Sequence, residues 1–383
     1  MIRLPFFHNS HDDYHLVLRI PSQSNNALCF TPDGRYLASG GDDKTVNIWS
    51  LHKCSCCQTL EYNNTHWGQI TCMSFIGEEG VWLAFGTSHG LIYIYGRAKG
   101  GLYRYNGGIQ ASSISNPVES LAFDGPSNKL MVTSHFGHIL AYNVQFFETK
   151  VTFHQEWSKT MRKAIPRTTT FINEGKEVLV GLLNTGEMMT LASDSSATIA
   201  TKSVNWPIGN CTSNITGNMI ILQNMAKGFD LYKLPELIKT CSIETKTRLG
   251  LVKDVRFAEN GSIAVGGSDS RKVYVIDLKL GAVVQELPHG KDHEVIQAVD
   301  TFSSSDCYLI ASASGTGSRE PMICLWEKPT KLGVNRRRNG QWKVQWLLIG
   351  LCILVLAFLI YRVSSSWWAT VVRLSGLLLE PIS

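Results

Sequence analysis

Short strand-like runs, with apolar side chains alternating or clustered, recur along this 383-residue chain, and each set closes on a large hydrophobic position. The closing residues are Trp49, Tyr95, Tyr142, Leu191, Tyr232, Ile276 and Trp326, spaced 46, 47, 49, 41, 44 and 50 residues apart. Each unit holds three such runs separated by Gly, Asp or Asn turns. A repeat of this length built from strands predicts the blades of a β-propeller. One blade alone leaves a sheet face bare, whereas seven packed around an axis bury those faces and leave a platform ringed by loops. The expected fold is all-β, a seven-bladed propeller over residues 14–328.

Blade one is the clearest unit. ALCFTPDGRYLASGGDDKTVNIWS (27–50) reads as strand, turn, strand, turn, strand, with Pro32-Asp33-Gly34 and Gly40-Gly41-Asp42-Asp43 at the turns. This segment resembles the WD-repeat family, whose blades often run FSPDG…LASGSDDKTVKIWD. The resemblance implies that Asp43, six residues before Trp49, hydrogen-bonds within its blade. It also implies a structural His ahead of a blade, a role open to His66 and His293. The other blades keep the skeleton with fewer of these polar marks, so hydrophobic packing is expected to carry them. HLVLRI (15–20) is expected to close the ring as the outer strand of blade seven, whose own segment supplies three strands.

The tail follows a different pattern. Residues 344–361, VQWLLIGLCILVLAFLIY, run 18 residues without a charge between Lys343 and Arg362. As a helix that run spans about 27 Å, near the hydrocarbon thickness of a thin bilayer, so a single transmembrane helix is expected there. Six basic residues precede it and two follow, which places the propeller in the cytosol. The expected layout is an N-terminal extension (1–13), the propeller (14–328), a basic linker (329–343), the span (344–361) and a short amphipathic tail (362–383). That is the order of a tail-anchored protein. Arg336, Arg337, Arg338 and Lys343 are expected at the membrane surface, with Trp367 and Trp368 in the headgroup belt. A second membrane segment within 363–379 is the alternative reading of the tail.

Charge adds one constraint. Residues 1–327 hold 28 basic and 30 acidic side chains, a net of −2, so the formal +5 of the chain resides in its tail. A near-neutral ring lacks the footprint of a nucleic-acid binder. Cys54, Cys56 and Cys57 form a C-x-C-C cluster in the loop after blade one. No second Cys/His pair lies nearby at zinc-like spacing. A reduced loop cluster is expected, with metal binding or lipidation as alternatives. His289-Gly-Lys-Asp-His293-Glu294 also invites a metal or general-base reading, against which stands a structural role in the loop entering blade seven. The sequons at Asn63, Asn210 and Asn214 read as chance on a cytosolic domain. No P-loop, G-x-G-x-x-G, H-E-x-x-H or G-x-S-x-G is present. An enzyme is not expected, nor a cofactor, resident metal or small-molecule substrate.

Loop chemistry remains. The turns between second and third strands of each blade are expected to crowd one rim and to present Asp42, Lys44, His89, His135, Phe136, Lys227, Arg271, Lys272, Arg319 and Glu320, mixed charges with an aromatic that suit cytosolic protein partners. The leading expectation is a membrane-tethered scaffold recruiting cytosolic proteins to an internal membrane, the endoplasmic reticulum above others. The alternative is a guanine-nucleotide exchange factor for a small Sar-type GTPase, a family whose overall layout this chain resembles. That family's Gly-rich, ion-binding loop would fall at PSQSNNALCF (21–30), which has no glycine.

Overall fold

The computed structural model describes residues 13–61, 67–77, 80–111, 113, 115–245, 247, 250–289, 294–315, 318 and 320–334. The chain divides into a unit of residues Met1–Lys328 and a second of Pro329–Ser383. In the second, the Val334 N–H closes one helical turn on the Thr330 carbonyl at 2.9 Å.

Among its described residues the first unit contains 28 strands in seven four-stranded antiparallel sheets. β1 is His15–Pro21. Blade one contains β2 (Asn25–Phe30), β3 (Tyr36–Gly41), β4 (Val46–Ser50) and β5 (Ser55–Leu60). Blade two contains β6 (Ile70–Ile76), β7 (Trp82–Thr87), β8 (Leu91–Arg97) and β9 (Tyr103–Gln110). Blade three contains β10 (Val118–Asp124), β11 (Lys129–Ser134), β12 (His138–Phe146) and β13 (Val151–Thr160). Blade four contains β14 (Pro166–Ile172), β15 (Glu177–Leu182), β16 (Glu187–Ala192) and β17 (Thr198–Ser203). Blade five contains β18 (Ile208–Ser213), β19 (Met219–Asn224), β20 (Gly228–Lys233) and β21 (Ile238–Glu244). Blade six contains β22 (Val255–Ala258), β23 (Ile263–Gly266), β24 (Lys272–Asp277) and β25 (Ala282–Pro288). Blade seven contains β26 (Ile296–Ser303), β27 (Cys307–Ser314) and β28 (Met322–Pro329), and its fourth strand is β1.

The closure expected from the N-terminus is therefore observed, with Arg19 opposite Cys324 and Ile20 opposite Ile323. One residue further back, Tyr14 is clamped to blade six. Its N–H donates to Gln285 Oε1 at 3.0 Å, and Gln285 Nε2 donates to the Tyr14 carbonyl at 2.9 Å. All seven sheets close within residues 15–329.

Burial explains why these segments form strands. Second strands such as β7 and β15 are packed on both faces, so their sequences (WLAFGT, EVLVGL) are continuous runs of apolar and small residues. Outer strands such as β17 and β25 pack on one side and carry polar alternation. The recurring closing residue also has a structural meaning. In blades one to six it stands directly after a β-bulge between third and fourth strands, as at Ile48/Trp49, Ile94/Tyr95 and Val275/Ile276. In blade seven the bulge lies on β1, between Leu16 and Leu18, opposite Trp326 and Leu325. Such bulges increase local twist, which a blade requires.

Gly34 shows how tightly neighbouring blades meet. Its φ is +66°, and a Cβ there would stand 2.3 Å from the Phe302 ring of blade seven. Only glycine meets both demands.

Among the described residues no helix is long and apolar enough to cross a membrane. The expected span at 344–361, together with Arg336, Arg337, Arg338, Lys343, Trp367 and Trp368, lies outside the described residues.

Candidate protein-binding rim

The seven first strands form the inner ring: β2 packs on β6, β6 on β10, and so on through β26 back to β2. Six of them carry a register break near their start, at Asn25/Ala27, Ile70/Cys72, Val118/Ser120, Pro166/Thr168, Ile208/Cys211 and Ile296/Ala298. Side chains at or beside these breaks reach the next blade. Asn26 Nδ2 donates to the Ile70 carbonyl at 3.1 Å, and Thr71 Oγ1 to that of Val118 at 2.6 Å. Arg167 pairs with Glu119, Thr168 Oγ1 donates to the Cys211 carbonyl at 3.1 Å, and Asn210 Nδ2 donates to Asp254 Oδ1 at 3.0 Å. Backbone N–H groups complete the circle, Asp254 donating to the Gln297 carbonyl at 2.8 Å and Phe30 to Asp300 Oδ2 at 2.7 Å. Every blade junction is thus bonded at the inner ring.

The first strands start on one face, called upper here, and the second-to-third-strand turns lie on the same face. Two bonds tie turn to ring directly. Asn26 Nδ2 donates to Asp42 Oδ1 at 2.9 Å, and His135 Nδ1 lies 2.6 Å from Glu119 Oε1. The neighbouring Phe136 is 61% exposed. Lys44 and Arg271 hold left-handed turn conformations, with φ of 63° and 64°. Lys227 pairs with Glu244 at 3.3 Å, and His89 and Glu320 lie in their turns. Lys272 opens β24 rather than sitting in the turn, and pairs with Glu286. Arg319 lies outside the described residues. Exposed Trp206 and Leu251, in loops leading into β18 and β22, join this face and were not anticipated.

The channel inside the ring holds a cavity of about 460 Å³. Arg256 lies against it, donating from Nη1 to Asn210 Oδ1 at 3.2 Å, with Asp300 at 3.6 Å and Asp254 at 3.8 Å. Burial pushes Asp300 up to about 6, against the pull of Arg256. Arg256 thereby links blade six to blade five through Asn210 and to blade seven through Asp300.

The expected in-blade role of Asp43 is observed locally. Its carboxylate accepts from the Thr45 N–H at 3.1 Å and from the Thr45 hydroxyl at 2.8 Å. A buried histidine is present ahead of blade seven. His66 and His293 lie outside the described residues, whereas His289 is fully buried, with Nε2 3.1 Å from the Ser312 carbonyl. Burial lowers its pKa to about 4, so it is a neutral packing group. The cysteine cluster also reads differently. Cys56 and Cys57 belong to β5, not to a loop, with Cys57 the extra residue of its bulge. Cys56 Sγ lies 3.7 Å from Asn47 Oδ1, while Cys57 Sγ lies 3.2 Å from the Ile48 carbonyl. The thiols do not converge. Among the described residues no group of three or more His, Cys, Asp or Glu side chains is placed to hold a metal.

Asn210 and Asn214 are engaged internally, Asn210 with Asp254 and Arg256, Asn214 with Thr216 and Asn218. The ring bonds were missed in the sequence, although a signal exists in three blades: apolar, polar, small at the first-strand start (Ile70-Thr71-Cys72, Val118-Glu119-Ser120, Ile296-Gln297-Ala298).

Residues 20–50, from the end of β1 through β4, match the family model described as "WD domain, G-beta repeat". The match covers blade one, and the seven closed sheets show a β-propeller that contains a segment similar to the WD repeat.

Proposed function

We propose that this chain is a membrane-tethered scaffold that recruits cytosolic proteins to an internal membrane, the endoplasmic reticulum foremost, through the upper face of its propeller. The observation that carries the reading is the inner-ring bonding, which holds Asp42 and His135 in place and gives the rim a rigid base. A preorganised surface loses little entropy on binding. Phe136 and Trp206 supply aromatic anchors of the kind enriched at interfaces, and Lys44, Lys227 and Arg271 surround them with charge.

Tethering is argued from sequence alone. The uncharged run at 344–361, with Arg336, Arg337, Arg338 and Lys343 before it, is the reason to place the anchor at the C-terminal end. Alkaline extraction of membranes tests it: the full chain should stay in the pellet, and deletion of 344–383 should release it. Protease added to intact microsomes should then digest the propeller and spare a small C-terminal fragment. Glycans on Asn210 or Asn214 would reverse the orientation.

A further inference from the structure

The opposite, lower face carries the first-to-second and third-to-fourth-strand turns, and β28 brings the chain out on it at Pro329. Single exposed apolar residues are ordinary on any protein surface. Here they recur at one structural position. The third-to-fourth-strand turn presents Leu102 in blade two, Phe147 in blade three and Leu280 in blade six, at 50%, 56% and 69% exposure. Each stands within three residues of an exposed lysine, Lys99, Lys150 and Lys279 respectively, and exposed Glu148 also lies beside Phe147.

Backbone bonds hold these tips outward. The Ala98 N–H donates to the Leu102 carbonyl and the Phe147 N–H to the Lys150 carbonyl, both at 2.8 Å. Asp277 Oδ1 accepts from the N–H groups of Lys279 and Leu280, both at 2.8 Å, so its carboxylate is engaged within the turn. Blade one adds exposed Lys53 in the corresponding turn. Blade four carries exposed Asp194 there, and in blade five exposed Glu236 lies between exposed Lys233 and Lys239, with the leucines of that turn, Leu234 and Leu237, buried. The lysine-and-apolar tips therefore occupy the arc that runs from blade six through seven, one and two to three. The chain leaves the ring within that arc.

We propose that this arc of the lower face rests on an anionic lipid bilayer. Leu102, Phe147 and Leu280 enter the boundary between headgroups and acyl chains, while Lys99, Lys150 and Lys279 pair with lipid phosphates. Apolar tips flanked by lysines are the chemistry of an interfacial membrane contact, in which shallow burial and electrostatic attraction act together. The proposal deepens the tethered reading and rests on it: lipid contact on the lower face turns the upper rim toward the cytosol.

The test uses residues 1–334, which contain all seven sheets, with circular dichroism and melting to verify folding of each variant. Sedimentation with vesicles of equal parts phosphatidylcholine and phosphatidylserine should pellet the wild-type ring. At about 1 kcal/mol per basic side chain, K99E/K150E/K279E should weaken partitioning by roughly a hundredfold or more at low salt. L102S/F147S/L280S should weaken it as well, and F136S/W206S on the upper face should leave it unchanged. Equal pelleting of wild type and both lower-face variants, or no pelleting of the wild type, overturns the lipid contact. In that case full chain retained after alkaline extraction leaves the tether standing. Full chain released by the extraction removes the tether, and the proposal with it. If the ring ignores vesicles yet the lower-face substitutions strip a protein from it, the arc is a protein interface instead.

Discussion

Trp326 and Ser312 are joined across neighbouring strands of blade seven, the indole Nε1 donating to the serine hydroxyl at 3.2 Å. The Ser312 carbonyl accepts from His289 Nε2, so one residue links the blade's closing tryptophan to the segment that leads into the blade. Blade one repeats the first half of the arrangement, with Trp49 Nε1 donating to Ser39 Oγ at 2.9 Å. Ser312→Ala leaves a buried indole N–H without its acceptor, which should cost about 1–3 kcal/mol. Ser39→Ala should cost less, because Trp49 is only half-buried. Chemical denaturation of the two variants checks the order.

Ring closure predicts a larger effect. Deleting residues 1–20 removes most of β1, the packing of Ile20 and the Tyr14–Gln285 clamp. Burial of one isoleucine is worth about 1.5–3 kcal/mol, and the exposed β28 edge adds to the loss. The midpoint of thermal unfolding should fall by many degrees or the ring should fail to fold. A truncated ring that melts like the intact one contradicts the closure.

Glu119 is predicted to matter through the partner it leaves behind. It sits between His135 and Arg167, and both it and Arg167 are largely shielded from water. Glu119→Ala should destabilise by about 1–3 kcal/mol, while Glu119→Ala with Arg167→Ala should recover part of that loss. Breaking the exposed Lys227–Glu244 pair should change stability by about 0–1 kcal/mol. Denaturant titrations of the three variants give the comparison.

Two buried groups give opposing pH slopes. His289 titrates near 4 in the native ring and near 6.5 when unfolded, so between those values the unfolded chain binds more protons and acid lowers stability. Asp300 titrates near 6 in the native ring against its ordinary 3.8, so in that window the native state binds more protons and acid raises stability. His289→Gln removes only the first effect. Relative to wild type, the variant should gain stability as pH falls from about 6.5 to 4.5, by at most about 1.4 kcal/mol per pH unit. A difference between the two proteins that is flat with pH contradicts the neutral, buried His289.

How much of this was legible in sequence depends on what each residue faces. Second and third strands announce themselves because burial on both sides demands runs such as LMVTS and WLAFG. Fourth strands such as β5 and β17 face water on one side, so SCCQTL and TIATKS read as loop or ambiguous segments. Hairpin logic puts Asp42, Lys44, His89, His135, Phe136, Lys227 and Arg271 between second and third strands, whereas Lys272 opens β24. The bonds beneath them were not, because Glu119 and Arg167 are 48 positions apart and meet only when blades pack. Burial of His289 was not legible, because spacing to the following blade does not report which imidazole packs against Ser312.

The exchange-factor alternative makes a separate prediction. Residues 21–30 form a short turn, in which Asn25 Nδ2 donates to Ser22 Oγ at 2.8 Å, followed by β2, and none of them is glycine. Purified residues 1–334 should leave GDP release from Sar-type GTPases unchanged. Acceleration that grows with propeller concentration would replace the scaffold reading with catalysis.

The central claim is that the upper rim recruits proteins while the tail holds the membrane. Proximity labelling from the full, membrane-inserted chain tests both halves, comparing wild type with K44E/F136S/K227E/R271E. These residues are exposed on the upper face and lie outside the inner-ring bonds. The variant should remain in the membrane pellet and lose the cytosolic proteins most strongly labelled by wild type. An unchanged set of labelled proteins, with both chains equally folded and equally membrane-bound, would contradict the account.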